Sequence, residues 1–267
     1  MCRWKYQLPM KSTILSKFKQ QNQTGFTLIE MAVVLFIVAL LLGGLVPTLS
    51  SQVEQRRLAE TRTQLDTIRD ALIGYTLING RLPCPASAAS NGMEAPVGTG
   101  ICTNFYNGFV PAVTLGLSGT NTTGYIEDAW GNPLRYAVTS WDAAPINNVF
   151  TTGNGIRDTG ISNLAPDLIV CSEASANAND CSVVGSTLSS NAAAVIYSIG
   201  PNGVAGGTST DETENPNSNP SSVDNDQVFV SHTPSASSAP NGEFDDILIW
   251  ISPNILVNRM VSAGILP

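Results

Sequence analysis

The sequence predicts an α+β protein: a long N-terminal helix, transmembrane in its first half and amphipathic in its second, packed on an antiparallel β-sheet head. Three observations predict it. Residues 31–46, MAVVLFIVALLLGGLV, hold no charged or strongly polar side chain. Residues 50–79 carry Leu58, Leu65, Ile68, Leu72 and Tyr75 at three- and four-residue spacing, the stripe of an amphipathic helix. From residue 81 on, short runs rich in Val, Ile, Tyr and Trp are separated by Gly, Asn, Ser and Pro, with no alternating βαβ pattern.

Composition narrows the function classes. Only 13% of the 267 residues are charged, about half the ~25% usual for a soluble protein. The net charge of −8 argues against duplex nucleic acid, whose phosphates call for a basic surface. A single His, His232, leaves no basis for a His-rich metal site. The charges are also segregated. Arg3, Lys5, Lys11, Lys17 and Lys19 give residues 1–25 a charge of +5, while everything after them carries eight Arg, no Lys and 21 acids.

The first element is the apolar run. Phe26 to Leu49 is 24 residues with Glu30 as its one charge, long enough for the roughly 20 residues a spanning helix needs. Basic residues precede it and acids dominate after it, which places the N-terminus in the cytoplasm and the C-terminal head outside. A secretory signal would have an apolar core of about 7–15 residues and an A-x-A-like cleavage site; the run is longer, and no such site follows. Glu30 remains unexplained by either a signal or a plain anchor. A carboxylate inside an apolar span costs about 2.5–3.5 kcal/mol on insertion scales and points to function; snorkelling from the membrane edge is the bland alternative.

These residues carry a resemblance. Thr24-Gly25-Phe26-Thr27-Leu28-Ile29-Glu30, behind a basic leader and ahead of an apolar run, resembles the signal of type IV prepilins and type II secretion pseudopilins. The resemblance implies cutting after Gly25 by a prepilin peptidase, methylation of the Phe26 amine by the same enzyme, and a fifth mature residue, Glu30, that serves assembly. It implies as partners the peptidase/methyltransferase, other pilin or pseudopilin subunits and an inner-membrane assembly platform. It implies a single-pass inner-membrane protein whose head is periplasmic before assembly and part of a pilus or pseudopilus afterwards. The expected division is a cleaved leader at 1–25, a membrane half of the helix at 26–49, an amphipathic half at 50–80 and a head at 81–267. A shorter leader starting at Met10 is also readable.

The amphipathic half follows. Pro47, with Gly43 and Gly44 nearby, is expected to bend or loosen the helix. Asn79-Gly80 and Pro83 supply its stop. In the head, candidate strands are 134–139, 167–171, 194–199, 227–231 and 247–252. Residues 86–125 read as a connector, and 201–226 as a long polar loop expected to be mobile in part. Ser252 to Ala263 reads as a capped helix ended by Gly264.

Asp128-Ala129-Trp130-Gly131-Asn132-Pro133-Leu134-Arg135-Tyr136 resembles the D-x-W-G-N-P-x-x-Y stretch of the major type II secretion pseudopilin, and Tyr197-Ser198-Ile199-Gly200-Pro201-Asn202-Gly203 resembles the S-x-G-x-D/N-G turn that follows it there. The head is longer than in that protein, with inserts at 84–125 and 141–190, which favours a minor or specialised subunit.

Four cysteines lie beyond the leader: Cys84, Cys102, Cys171 and Cys181. An even count in an exported head reads as two disulfides, with three pairings open; proximity favours Cys84–Cys102 and Cys171–Cys181. Zinc is the alternative, and no C-x₂-C pair is present. The resembled pseudopilin holds calcium after its S-x-G turn. That raises Ca²⁺ for Asp211, Glu212, Glu214, Asp224, Asp226, Asp245 and Asp246, although their spacing does not match D-x-D-x-D-G. No cofactor is assigned on this basis. Glu127-Asp128 has no nucleophile or second acid beside it, and His232 is expected to be exposed, so no enzyme is predicted. The expected function is a structural subunit of a pilus or pseudopilus. The alternative is a tip subunit with a ligand-binding head, an adhesin or DNA-uptake pilin.

Overall fold

The computed structural model describes residues 25–98, 100–203, 209–215 and 226–266, without the side chains of residues 42–50. In chain order the elements are α1 (Leu28–Asn79), β1 (Gly108–Phe109), β2 (Arg135–Val138), α2 (Gly155–Thr159), β3 (Leu168–Cys171), β4 (Thr187–Ala192), β5 (Ala194–Ser198), α3 (Thr210–Glu214), β6 (Val228–Val230), β7 (Ile247–Ile251) and α4 (Pro253–Ser262). The chain divides into two compact units, residues 1–51 and 52–267. The amphipathic half of α1 therefore belongs with the head.

In the second unit the expected stripe of α1 is buried. Leu65, Ile68 and Leu72 are fully covered, and Thr61 and Thr76 complete the same face. Thr76 satisfies its hydroxyl on the carbonyl of Leu72, one turn back. The helix stops where Gly80 adopts φ +67° and donates its N–H to Thr76 O, a left-handed C-terminal cap.

The head holds two sheets rather than one. A four-stranded antiparallel sheet has the order β1-β2-β5-β7, and a three-stranded sheet the order β4-β3-β6. The expectation of an antiparallel sheet needs one correction: β3 and β6 run parallel. The four-stranded sheet is the middle layer. Tyr136, Val138, Ala194, Ile196 and Ile251 face the helix core with Leu65, Ile68, Leu72, Leu256 and Met260. Ala137, Val195, Tyr197 and Leu248 face the second sheet and meet Leu168, Val170 and Phe229. β5 is thus buried on both faces along its whole length, which is why it reads as an unbroken apolar run rather than an alternating one.

Three elements depart from the sequence expectations. β4 carries no apolar signal, because most of its residues are exposed and polar. β1 lies inside the expected connector. Within the expected polar loop, the described residues 209–215 are an ordered turn of helix, with Asp211 and Glu212 each 2% exposed. Ser209 caps it by accepting from Glu212 N. Asn215 then ties it to β6, donating to Val230 O and accepting from Val230 N, as a neighbouring strand would.

Candidate functional site

The N-terminal unit presents the motif in a simple geometry. Residues 25–27 are non-helical and α1 begins at Leu28. Thr27 is the N-cap: Glu30 N donates to Thr27 Oγ1 at 3.3 Å. In return Glu30 Oε2 accepts from Thr27 N at 2.8 Å and Thr27 Oγ1 at 2.9 Å. This is a capping box, in which two otherwise orphaned backbone donors are satisfied reciprocally. Its signal, Thr27-x-x-Glu30, stands in the sequence, but treating the carboxylate only as a misplaced membrane charge hides it. Every residue from Gly25 to Leu41 is exposed, Phe26 by 78% and Leu28 by 92%. Among the described residues no helix is long and apolar enough to cross a membrane; the apolar run expected over 26–49 continues into positions whose side chains lie outside that set.

In the head, the two pseudopilin-like turns are locked together. Asp128, 5% exposed, accepts from Trp130 N and Asn132 N through Oδ1 and from Ser198 Oγ through Oδ2 at 2.6 Å. Asn132 Nδ2 donates to Gly200 O at 2.7 Å, and Ala129 N donates to Thr61 Oγ1 on α1 at 3.2 Å. Asp128 is therefore a structural acceptor joining the turn before β2 to the end of β5, beside the helix. Its neighbour Glu127 accepts from Asn121.

The structure joins Cys84 to Cys102 and Cys171 to Cys181. The first disulfide sits beside a buried ion pair for which the sequence holds no local signal. Arg81 grips Glu94 with both Nη atoms, at 2.8 and 2.7 Å. Glu94 also accepts from Cys84 N, Gly98 N and Tyr75 OH. Burial pushes the Glu94 carboxyl up, but the Arg81 hydrogen bonds and charge outweigh it and hold the group below its ordinary range.

The acidic residues meet after the Ser198-x-Gly200 turn. Glu212 Oε1 accepts from Asn202 Nδ2 and Asp245 N, while Glu212 Oε2 and Asp245 Oδ1 are buried without a hydrogen-bond partner. Burial, with the charges of Glu212 and Glu243, pushes Asp245 up to about 7. Burial pushes Asp246 up to about 8, against the hydrogen bond from Asn215. Calcium takes about six to eight oxygens. Glu212 and Asp245 supply two unused carboxylate oxygens, and among the described residues no group of three or more His, Cys, Asp or Glu is arranged so that it could hold a metal ion. The described residues thus do not make a calcium shell; Asp224 lies outside them. His232 is half-buried rather than exposed: its ring stacks on Phe244, centroids 3.8 Å apart, and Nε2 lies 3.3 Å from Asp211 Oδ2.

A capped helix start at Thr27–Glu30 and an α+β head packed on residues of the same helix are together similar to the plan of pilins and pseudopilins. Residues 20–46 match the family described as the prokaryotic N-terminal methylation motif. The chain is similar to type II secretion system core protein G of Pseudomonas aeruginosa, 28% identical over 122 residues that cover 44% of this chain and 75% of that protein. No solved structure matches the chain.

Proposed function

We propose that the chain is a structural subunit of a type IV pilus or type II secretion pseudopilus, not an enzyme. In this reading residues 26–49 anchor it singly in the inner membrane, with the N-terminus cytoplasmic and the head periplasmic. Prepilin peptidase removes residues 1–25 after Gly25 and methylates Phe26. The processed subunit then passes to an inner-membrane assembly platform and joins other pilin or pseudopilin subunits. The observation that carries the reading is the methylation motif at an exposed, apolar helix start. Glu30 has two successive roles. In the single chain Thr27 holds its carboxylate; in the assembly it faces the Phe26 amine of the next subunit, and each charge offsets the other's desolvation. The paired cysteines brace the exported head.

The test is mass spectrometry of the mature N-terminus with crosslinking of processed subunits. Wild type should begin at methylated Phe26, and Gly25→Val should accumulate as precursor. Glu30→Leu should be cut normally but lose co-assembly, since breaking such a pair typically costs about 3–5 kcal/mol. A mature N-terminus elsewhere would end the processing assignment, and a Glu30→Leu subunit that assembles like wild type would end the pairing role.

A further inference from the structure

The two sheets of the head have four edges, and three of them are closed. β1 is two residues long, and Ala86 covers its outer side, exchanging backbone bonds of 2.8 and 2.9 Å with Phe109. β6 is covered by Asn215, whose side chain takes both the N–H and the carbonyl of Val230. β4 is mostly exposed and polar, and register shifts interrupt its pairing. These are devices by which natural sheets avoid taking on another strand. β7 has none of them. Its residues, Ile247-Leu248-Ile249-Trp250-Ile251, are all apolar, with no charge and no Pro. It pairs with β5 on one side, and among the described residues no strand or loop backbone bonds the other side.

A cleft of about 670 Å³ lies along that side. Ser235 and Phe244 pair through bonds of 2.9 and 3.1 Å. Beyond that bridge the same two segments no longer bond each other, and residues 231–234 and 246–249 line the cleft. Ile247, Leu248 and Ile249 present about 10 Å of strand edge to it at the usual rise per residue. The two walls differ. α1 contributes Arg62 and Asp66, and β4 contributes Leu188, which is 48% exposed. Asp66 is paired with Arg69 at 2.9 Å, His232 lies against Asp211, and Asp246 accepts from Asn215 Nδ2 at 2.7 Å. Among the described residues that leaves Arg62 as the charge of the cleft not already matched, so an occupant that complements the cleft brings a carboxylate.

We propose that this cleft docks an extended segment of another protein, which adds to β7 as a further strand. An open strand edge offers a row of N–H and carbonyl groups that the backbone of another strand matches, while alternate side chains set specificity. The alternation follows that of β7, in which Ile247 and Ile249 face the helix core and Leu248 faces the second sheet. One face of the added strand therefore lies toward α1 and Arg62, and the other toward β4 and Leu188. The segment that fits carries a carboxylate on the first face and apolar side chains on the second. The inference goes beyond the structural-subunit reading and does not depend on processing or assembly.

The experiment is fluorescence anisotropy of a labelled, end-capped heptapeptide titrated with the full chain in detergent, against detergent alone. The peptide has valine at its odd positions and threonine, glutamate and threonine at its even ones. It should saturate with a Kd at or below about 100 μM. Methylating alternate backbone nitrogens should abolish saturation, because the added strand then has no donors for the edge. Replacing the central glutamate with lysine should weaken binding about fivefold. Arg62→Glu changes an exposed side chain and should reverse that order, the lysine peptide then binding the tighter. Hydrogen exchange at Ile247–Ile249 should slow when the peptide is bound. Absence of saturation, equal binding of the methylated peptide, an unreversed order in Arg62→Glu or unchanged exchange at β7 would each overturn the proposal. So would a dimer of the chain, seen by sedimentation, that the peptide does not dissociate, since a second copy would then hold the edge.

Discussion

Replacing Glu94 with Gln tests whether the Arg81–Glu94 pair holds the head together where the helix enters it. The wild-type carboxylate accepts five hydrogen bonds: two from Arg81 and one each from Cys84 N, Gly98 N and Tyr75 OH. The side chains of the pair are 9% and 3% exposed. The amide keeps the shape but removes the charge and turns an NH₂ toward a guanidinium or a backbone N–H. Arg81 would then be a buried cation facing a donor. Breaking a buried pair this way costs about 3–5 kcal/mol. For a compact unit of the size of residues 52–267, each kcal/mol moves the melting temperature by about 2–4 °C. The expected loss is therefore on the order of 10 °C, measured by circular dichroism of the detergent-solubilised chain. The double variant Arg81→Met/Glu94→Leu should recover part of it, because neither side chain then leaves a charge unpaired. A Glu94→Gln shift below about 2 °C would show that the pair is tolerated rather than required. The pH sign follows from the lowered carboxyl: its stabilisation is present above the ordinary value of 4.5 and is lost as pH falls through the lower folded value.

Two further outcomes are expected. Cys84→Ser/Cys102→Ser should destabilise the head by about 3 kcal/mol on the chain-entropy account for residues 18 apart in sequence, read as a denaturant midpoint; a variant with an unchanged midpoint would deny this bridge a structural role. Asp245 and Asp246 work with the opposite sign to Glu94. Their raised groups favour the fold fully below the ordinary 3.8, and that contribution is lost as pH rises through about 7 and about 8. Melting temperature should therefore fall between about pH 4 and 8 by this route, and Asp245→Asn should flatten the fall; an Asn variant with the wild-type slope would refute it.

The amino-acid order alone determined the long helix, because one apolar run and one three-and-four spaced stripe are local periodicities that need no partner to be read. It also determined the start motif, since Gly25, Phe26 and Glu30 lie within six residues of one another, and it determined β2, β3, β5, β6 and β7, which are apolar enough to announce burial. Only the tertiary structure decided that the strands form two sheets, because Val195 and Tyr197 face one neighbour while Ala194 and Ile196 face another, and an apolar residue carries no mark of which layer it meets. Only it could show that Glu94 answers Arg81 across 13 positions, and that Asn215 completes β6 from a segment that reads as polar loop. The same holds for Arg135, whose hydrogen-bond partner Asn107 lies 28 positions away in the chain. Polar pairing depends on which groups lose water together, and that is set when distant segments pack, not by their neighbours in the chain.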